Sequence, residues 1–237
     1  LLQRCVSIDL EVDPSAASVF ALAAVHNDAR PAIVARQRDI AVALGRLEAQ
    51  AIETDHVVGH NIIRHDLPHL VALQPRLAQV FSSPIDTLWL NPLAFPRNPY
   101  HHLVKHYHDG RLQAGHINDP ELDARLVFEV LRDQLEALQQ QNIDKPDAIT
   151  AYHYLATRME GSVGFDAVFQ QVRGAQAPGA TEAREAVARL LRGMTCRSGL
   201  DRVLDRLAST QHGWPMAYAL SWILVAGGDS VMPPWVR

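Results

Sequence analysis

In the apolar run from Val6 to Val12, Asp9 and Glu11 stand one residue apart. Extended backbone sends alternate side chains to opposite faces, so both carboxylates leave one side of a strand while Ile8, Leu10 and Val12 leave the other. Like charges that close raise each other's pKa unless a cation lies between them. A solvated acidic face on an exposed strand accounts for the tripeptide; so does half of a divalent-metal site, which needs further carboxylates from elsewhere in the chain. Asp66 stands where a helix would begin, with Pro68 tolerated in its first turn and the helix dipole favouring an acid. Asp123 lies within a later helical stretch beside the apolar Leu122 and Leu126, and neither Arg125 nor Arg132 sits at the three- or four-residue spacing of an intrahelical pair. Four carboxylates stay ionised in one pocket only if cations neutralise them. Two Mg²⁺ or Mn²⁺ ions meet that need, because hard cations take oxygen ligands. Such a pair clamps the attacking and leaving oxygens of phosphodiester hydrolysis and lowers the pKa of the nucleophilic water.

The elements that must position these acids are legible in the spacing. Residues 6–12, 19–25 and 32–35 read as an antiparallel meander, with a turn at Asp13-Pro14-Ser15. Asp39 caps a helix whose apolar positions are Ile40, Leu44, Leu47 and Ala51. A short strand at 56–59 ends in the loop that carries Asp66, residues 84–90 form a further strand, 91–99 a loop and 101–107 a helix. Asp119 as N-cap and Pro120 at the first helical position open a long helix with a stripe from Leu122 to Leu138. After a break at 142–147, only helical periodicity remains, at 149–158, 165–172, 181–191, 200–207 and 214–224. This predicts an α/β domain over 1–145, a mixed sheet flanked by helices, followed by an all-α extension over 146–237. Trp214, Trp222 and Trp235 are expected as core or interface aromatics.

The composition is that of a globular chain: 237 residues, 48% hydrophobic and 20% charged, enough to bury a sizeable core. A net charge of −4 argues against a protein whose whole surface holds phosphate, while leaving a local groove open. No apolar run reaches the ~18 residues of a membrane span, and no leader opens the chain, so a cytoplasmic location is expected. Cys5 and Cys196 lie in apolar segments and are expected as free, buried thiols. The absence of an initial Met and the tail at 231–237 suggest a piece of a longer polypeptide.

Ser7-Ile8-Asp9-Leu10-Glu11 resembles the first motif of the DEDD (DnaQ-like) 3′-5′ exonucleases, Gly59-His60-Asn61 with Asp66 the second, and 118–124 with Asp123 the third. Asp86-Thr87-Leu88 and the 101–107 segment resemble the stretch that this family places between its second and third motifs. The resemblance covers residues 4 to about 138. It implies a ribonuclease H-like fold and stepwise release of nucleoside monophosphates from the 3′ end of single-stranded or frayed DNA. On that resemblance Asp9 bridges both metals, Asp123 binds the nucleophile-side ion, Asp66 binds the other through water, and Glu11 holds the nucleophile-side ion and the terminal 3′ hydroxyl. Leu10, His60, Asn61, Tyr100, His101 and Lys105 fall on the substrate side; with His102, His106 and His108 the 100–108 cluster suits a phosphate backbone and stacked bases.

One position departs from the family pattern. The histidine branch carries its general base five residues before the last Asp, and Asn118 stands there; the tyrosine branch uses the position four before, occupied by Asp119. Asparagine orients a water but does not take its proton, and a general base is typically worth ~10²–10⁴ in rate. His116, in a Gly-preceded loop, is the candidate replacement. The segments 91–96 and 231–237 also resemble the N-terminal exonuclease region of some bacterial RecQ-like helicases, implying a helicase domain in a full-length chain. Two alternatives stay open: a catalytically weakened nucleic-acid-binding or docking module, given Asn118, and an exoribonuclease on short RNA, since nothing in the sequence reads the 2′ hydroxyl.

Overall fold

The computed structural model describes residues 1–13, 15, 18–98, 101, 103, 119–158, 162–207 and 213–226. The chain divides into two compact units, one of residues 1–89 and 101–133, the other of residues 90–100 and 134–237.

Unit 1 is built on a five-stranded mixed sheet in the order β3-β2-β1-β4-β5. The strands are β1 (Cys5–Asp13), β2 (Ser18–His26), β3 (Ile33–Arg36), β4 (His56–Gly59) and β5 (Pro84–Asp86). The first three form the expected antiparallel meander; β4 and β5 join in parallel. The unit also holds helices α1 (Ile40–Ala51), α2 (Asp66–Leu73) and α3 (Leu77–Val80). Val6, Ile8 and Leu10 of β1 share a core with Leu44 and Leu47 of α1, Leu70 of α2 and Leu77 of α3. That burial fixes the strand's register, because a one-residue slip would drive Asp9 and Glu11 into the apolar layer. The acids leave from the opposite face, as the alternation requires.

The strand expected over 84–90 is shorter. It ends at Asp86, and α4 (Thr87–Ala94) takes over, absorbing residues 91–94 that read as loop. The reason is local: the Asp86 carboxylate accepts the Leu88 N–H at 3.0 Å, capping the new helix. Asp119 caps α5 (Pro120–Asp144) as expected, accepting from the N–H groups of Glu121 and Leu122 at 3.1 and 3.4 Å. The helix expected at 101–107 lies outside the described residues apart from His101 and Leu103.

Unit 2 contains the ends of α4 and α5 and the helices α6 (Pro146–Ala156), α7 (Val163–Arg173), α8 (Ala180–Leu190), α9 (Arg197–Arg206) and α10 (Gly213–Ala226). All described residues beyond 144 are helical or connecting, as the periodicity implied. The expected boundary at 145 coincides with the end of α5, while the division into units cuts that helix after Asp133. Eight of the eleven residues of α6 are buried, because α7, α8 and α10 all pack against it. Cys5 is buried as expected, but Cys196 is exposed at the N-terminal end of α9; of the aromatics expected in the core or at an interface, Trp222 is 49% exposed. Among the described residues, no helix is long and apolar enough to cross a membrane.

Within this unit His153 is fully buried between Asp166, 2.8 Å from Nε2, and Arg173, which donates to Nδ1 at 3.1 Å. The arginine fixes the tautomer: Nδ1 accepts, so the neutral ring carries its proton on Nε2 and gives it to Asp166. Burial, with a smaller contribution from Arg173, holds the ring's pKa below its ordinary 6.5 despite Asp166. Between that depressed value and 6.5 the unfolded chain binds a proton that the folded one refuses, so stability falls as pH drops below ~6.5. His26 and His56 in unit 1, lowered chiefly by burial, add the same sign. The urea midpoint of the parent chain is expected to fall relative to that of His153→Gln between pH 7.5 and 5, the difference isolating this ring from groups of opposite sign elsewhere.

Candidate metal centre

On β1, Asp9 and Glu11 face Ala23 and Ala21 of β2 in the antiparallel register. The directly opposite neighbours are therefore small and uncharged, which leaves room beside the acids and places no basic side chain across the ladder from them. The register shifts between Glu11 and Val12. The residue left over is Phe20 of β2, which has no partner on β1, so the pair of acids sits at the end of regular pairing. The first turn of α5 brings Asp123 to the same face. Ligand oxygens of Asp9, Glu11 and Asp123 all lie within 4.8 Å of one another. Asp123 is 9% exposed, and both strand acids are partly buried. The Arg125 that stood as its possible neighbour instead bridges Glu121 at 2.7 Å, one helical turn away.

Asp66 plays a different part from the other acids. It is 3% exposed and its Oδ1 accepts the backbone N–H of Leu10 at 3.0 Å. β4 pairs with β1 only at Cys5, Val6 and Ser7, so Leu10 lies beyond the reach of that ladder. The carboxylate at the start of α2 takes the place of the missing strand partner and pins the helix to the backbone between Asp9 and Glu11. It is not a member of the three-acid cluster.

A second buried carboxylate holds the loop that delivers Asp66. Asp86 is fully buried and accepts from the N–H groups of Asn61 and Leu88 at 3.0 Å and of Ile63 at 3.1 Å. Burial pushes its pKa up to about 6, against the opposing pull of those N–H donors. Asn61 sits at φ 69, a left-handed conformation that asparagine tolerates better than most residues. Its placement is therefore one of loop geometry. Thr87 donates its hydroxyl to the Gly59 carbonyl at 3.2 Å, so His60 must donate from Nδ1 to Thr87 Oγ1 at 3.0 Å. Gly59 makes the crossing possible: a Cβ there would fall 2.7 Å from the Ile62 Cβ and 3.1 Å from the Ile8 carbonyl. Neither neighbour can swing away. Gly59→Ala is expected to cost ~1–3 kcal/mol in urea unfolding, a loss below the error of the measurement being the contrary result.

The structure also brings forward a residue that no motif marked. His65, immediately before Asp66, has Nδ1 3.6 Å from Asp66 Oδ1, and its pKa is raised by Asp66 first and then, against burial, by the charges of Asp9 and Glu11. The only signal was its adjacency to Asp66. Leu10, expected on the substrate side, is 4% exposed in the core and contributes its N–H to Asp66 instead. Its side chain leaves the strand on the face opposite the acids. His101 is partly buried, and Asn118, His116, Tyr100, His102, Lys105, His106 and His108 lie outside the described residues.

The chain matches no family model, no curated protein and no solved structure. What the site does must come from its own chemistry. Three ionised carboxylates within 4.8 Å repel by about 3 kcal/mol per pair at an effective dielectric of ~20. Among the described residues the donor set consists of carboxylate oxygens, which suit a hard cation rather than zinc or copper. Oxygens within 4.8 Å of one another are near enough for more than one of them to be shared by a single divalent ion, whose preferred ligands are oxygens. Ser7 lies on the same strand face, fully buried, and its Oγ has no hydrogen-bond partner among the described residues. A hydroxyl in that position calls for a polar partner, and a water held by a bound cation would supply one. The residues fit a divalent cation.

Proposed function

We propose that unit 1 is a metal-dependent 3′-5′ exonuclease with a ribonuclease H-like fold, releasing nucleoside monophosphates from the end of single-stranded or frayed DNA. The observation that carries this reading is the convergence of Asp9, Glu11 and Asp123 within 4.8 Å from a strand and a distant helix. The resemblance of the three motifs to the DEDD exonucleases supports it, as does the five-stranded order with its antiparallel meander and two parallel strands. When bound, a pair of divalent cations supplies Lewis-acid activation of water and neutralises the charge developing on the phosphate.

The chain's own residues do the rest. Asp9, Glu11 and Asp123 would hold the cations, and Glu11 would also hold the terminal 3′ hydroxyl. Asp66 fixes α2 to β1 through Leu10 and leaves its second oxygen for an ion's water. Asp86, Thr87 and Gly59 shape the loop that carries His60 and Asn61 and leads into Asp66. With Asn118 in the general-base position, the chain supplies water orientation there, and His116 is the group that would accept the proton.

Oligonucleotides labelled at either end, DNA and RNA in parallel, test the reading in Mg²⁺ and in Mn²⁺. Mononucleotide release from the 3′ end, abolished by EDTA, is expected, with DNA degraded faster than RNA. Metal-independent retention of 3′ ends without cleavage would favour the weakened binding module that Asn118 suggests. Preference for short RNA would move the substrate to the exoribonuclease class.

A further inference from the structure

Unit 2 contains a cavity of about 580 Å³ formed by residues 94–98, the end of α5, α6 and the end of α10. That volume is within the range of sites for small organic ligands. Its walls are apolar at Phe95 and Leu224 and charged at Arg97, Asp144 and Lys145. The Gln141 side chain donates to the Leu93 and Ala94 carbonyls at 3.0 and 2.8 Å, tying the end of α4 to α5 and fixing one wall.

Tyr152 of α6 also lines the cavity. It is 1% exposed, and its hydroxyl has no hydrogen-bond partner among the described residues. The Tyr152 oxygen is not among the fully buried side-chain atoms left without a partner, so it meets solvent at the cavity, where a ligand's acceptor would take the place of water. Burial raises its pKa, so at neutral pH it remains a donor. Arg97 and Lys145 are exposed, and among the described residues neither side chain has an ion pair. Asp144 is engaged by the Gln140 amide at 3.1 Å. The charged side of the cavity therefore carries a net positive balance, which disfavours a cationic ligand and favours an anionic one.

We infer that this cavity binds a small amphipathic anion, with an apolar ring system against Phe95 and Leu224, an acceptor atom at the Tyr152 hydroxyl and a carboxylate facing Arg97 and Lys145. The site is independent of the acids in unit 1. The apolar walls supply most of the area, the phenol selects an oxygen at one end, and the two cations select the charge at the other.

Calorimetric titration of the 237-residue chain with 6-hydroxy-2-naphthoate tests this, with its methyl ester as the uncharged counterpart. Saturable binding at one site with Kd below ~1 mM is expected for the acid, and binding at least about fivefold weaker for the ester. Tyr152→Phe should weaken the acid about fivefold, the usual worth of one hydrogen bond. Arg97→Ala with Lys145→Ala, both exposed positions that leave folding intact, should weaken the acid at least about fivefold and the ester less than about twofold. No saturable binding by the parent chain, equal affinity for acid and ester, or unchanged affinity in either variant would overturn the inference.

Discussion

Asp9→Asn will reduce metal-dependent 3′ cleavage by ~10³ or more and, in the same protein, raise the melting temperature of the metal-free chain. The two effects share one cause. Asp9 lies with Glu11 and Asp123 in a cluster whose oxygens are within 4.8 Å of one another, so it belongs to two of the three repulsive pairs. Asparagine keeps the shape and removes the charge. In low salt the folded chain should gain ~1–3 kcal/mol, an amount that shrinks as ionic strength screens the surviving pair. The gain should disappear when Mn²⁺ is added, because the parent chain is then stabilised by RT ln(1 + [Mn²⁺]/Kd) and the variant is not. Activity assays and thermal melts with and without metal check both halves. An inactive variant with a lowered melting temperature in EDTA would mean that Asp9 supports the fold rather than a cation.

The second large effect belongs to a residue that meets no metal. Asp86→Ala should cost ~3–5 kcal/mol, because it leaves the N–H groups of Asn61, Ile63 and Leu88 without their acceptor in a buried place. Asp86→Asn should cost less, ~1–2 kcal/mol, since its Oδ1 can still serve Asn61 and Leu88 while the Ile63 bond to the second oxygen is lost. The pH dependence has a definite sign. With the pKa pushed from 3.8 to about 6, the folded state keeps a proton that the unfolded state has released. Asp86 therefore contributes a loss of stability as pH rises from ~4 to ~6, levelling above that, opposite to the buried histidines. Urea unfolding of the parent and both variants across that window separates the contributions. A loss below ~1 kcal/mol in the alanine variant would show that the loop holds itself.

How much of the fold and the site is legible in the sequence depends on whether a feature is local. The shared face of Asp9 and Glu11 follows from strand alternation alone, and the start of α5 from Asp119 and Pro120, both of which the structure reproduces. The meeting of Asp123 with them required only the right topology. Features set by tertiary contacts stayed hidden. The hydrogen bond from Leu10 to Asp66 exists because β4 stops pairing after Ser7, and a sequence does not show where a ladder ends. Thr87 to Leu90 is a short apolar run that periodicity cannot assign to strand or helix; the cap from Asp86 decided it. Cys196 reads as buried from its apolar segment but faces outward, because burial is settled by which helix packs on which. His65 carried no motif at all, and only the proximity of three acids gives it a distinctive environment.

Whether carboxylates from β1 and α5 together hold divalent cations is tested most directly by free Mn²⁺, measured by electron paramagnetic resonance during titration of the purified chain, without reference to activity or substrate. Saturable uptake of one or two ions per chain is expected, abolished or weakened at least about tenfold by each of Asp9→Asn, Glu11→Gln and Asp123→Asn, and unaffected by Asp86→Asn. Uptake that is absent, or equal in all four variants and the parent, would contradict a shared metal centre.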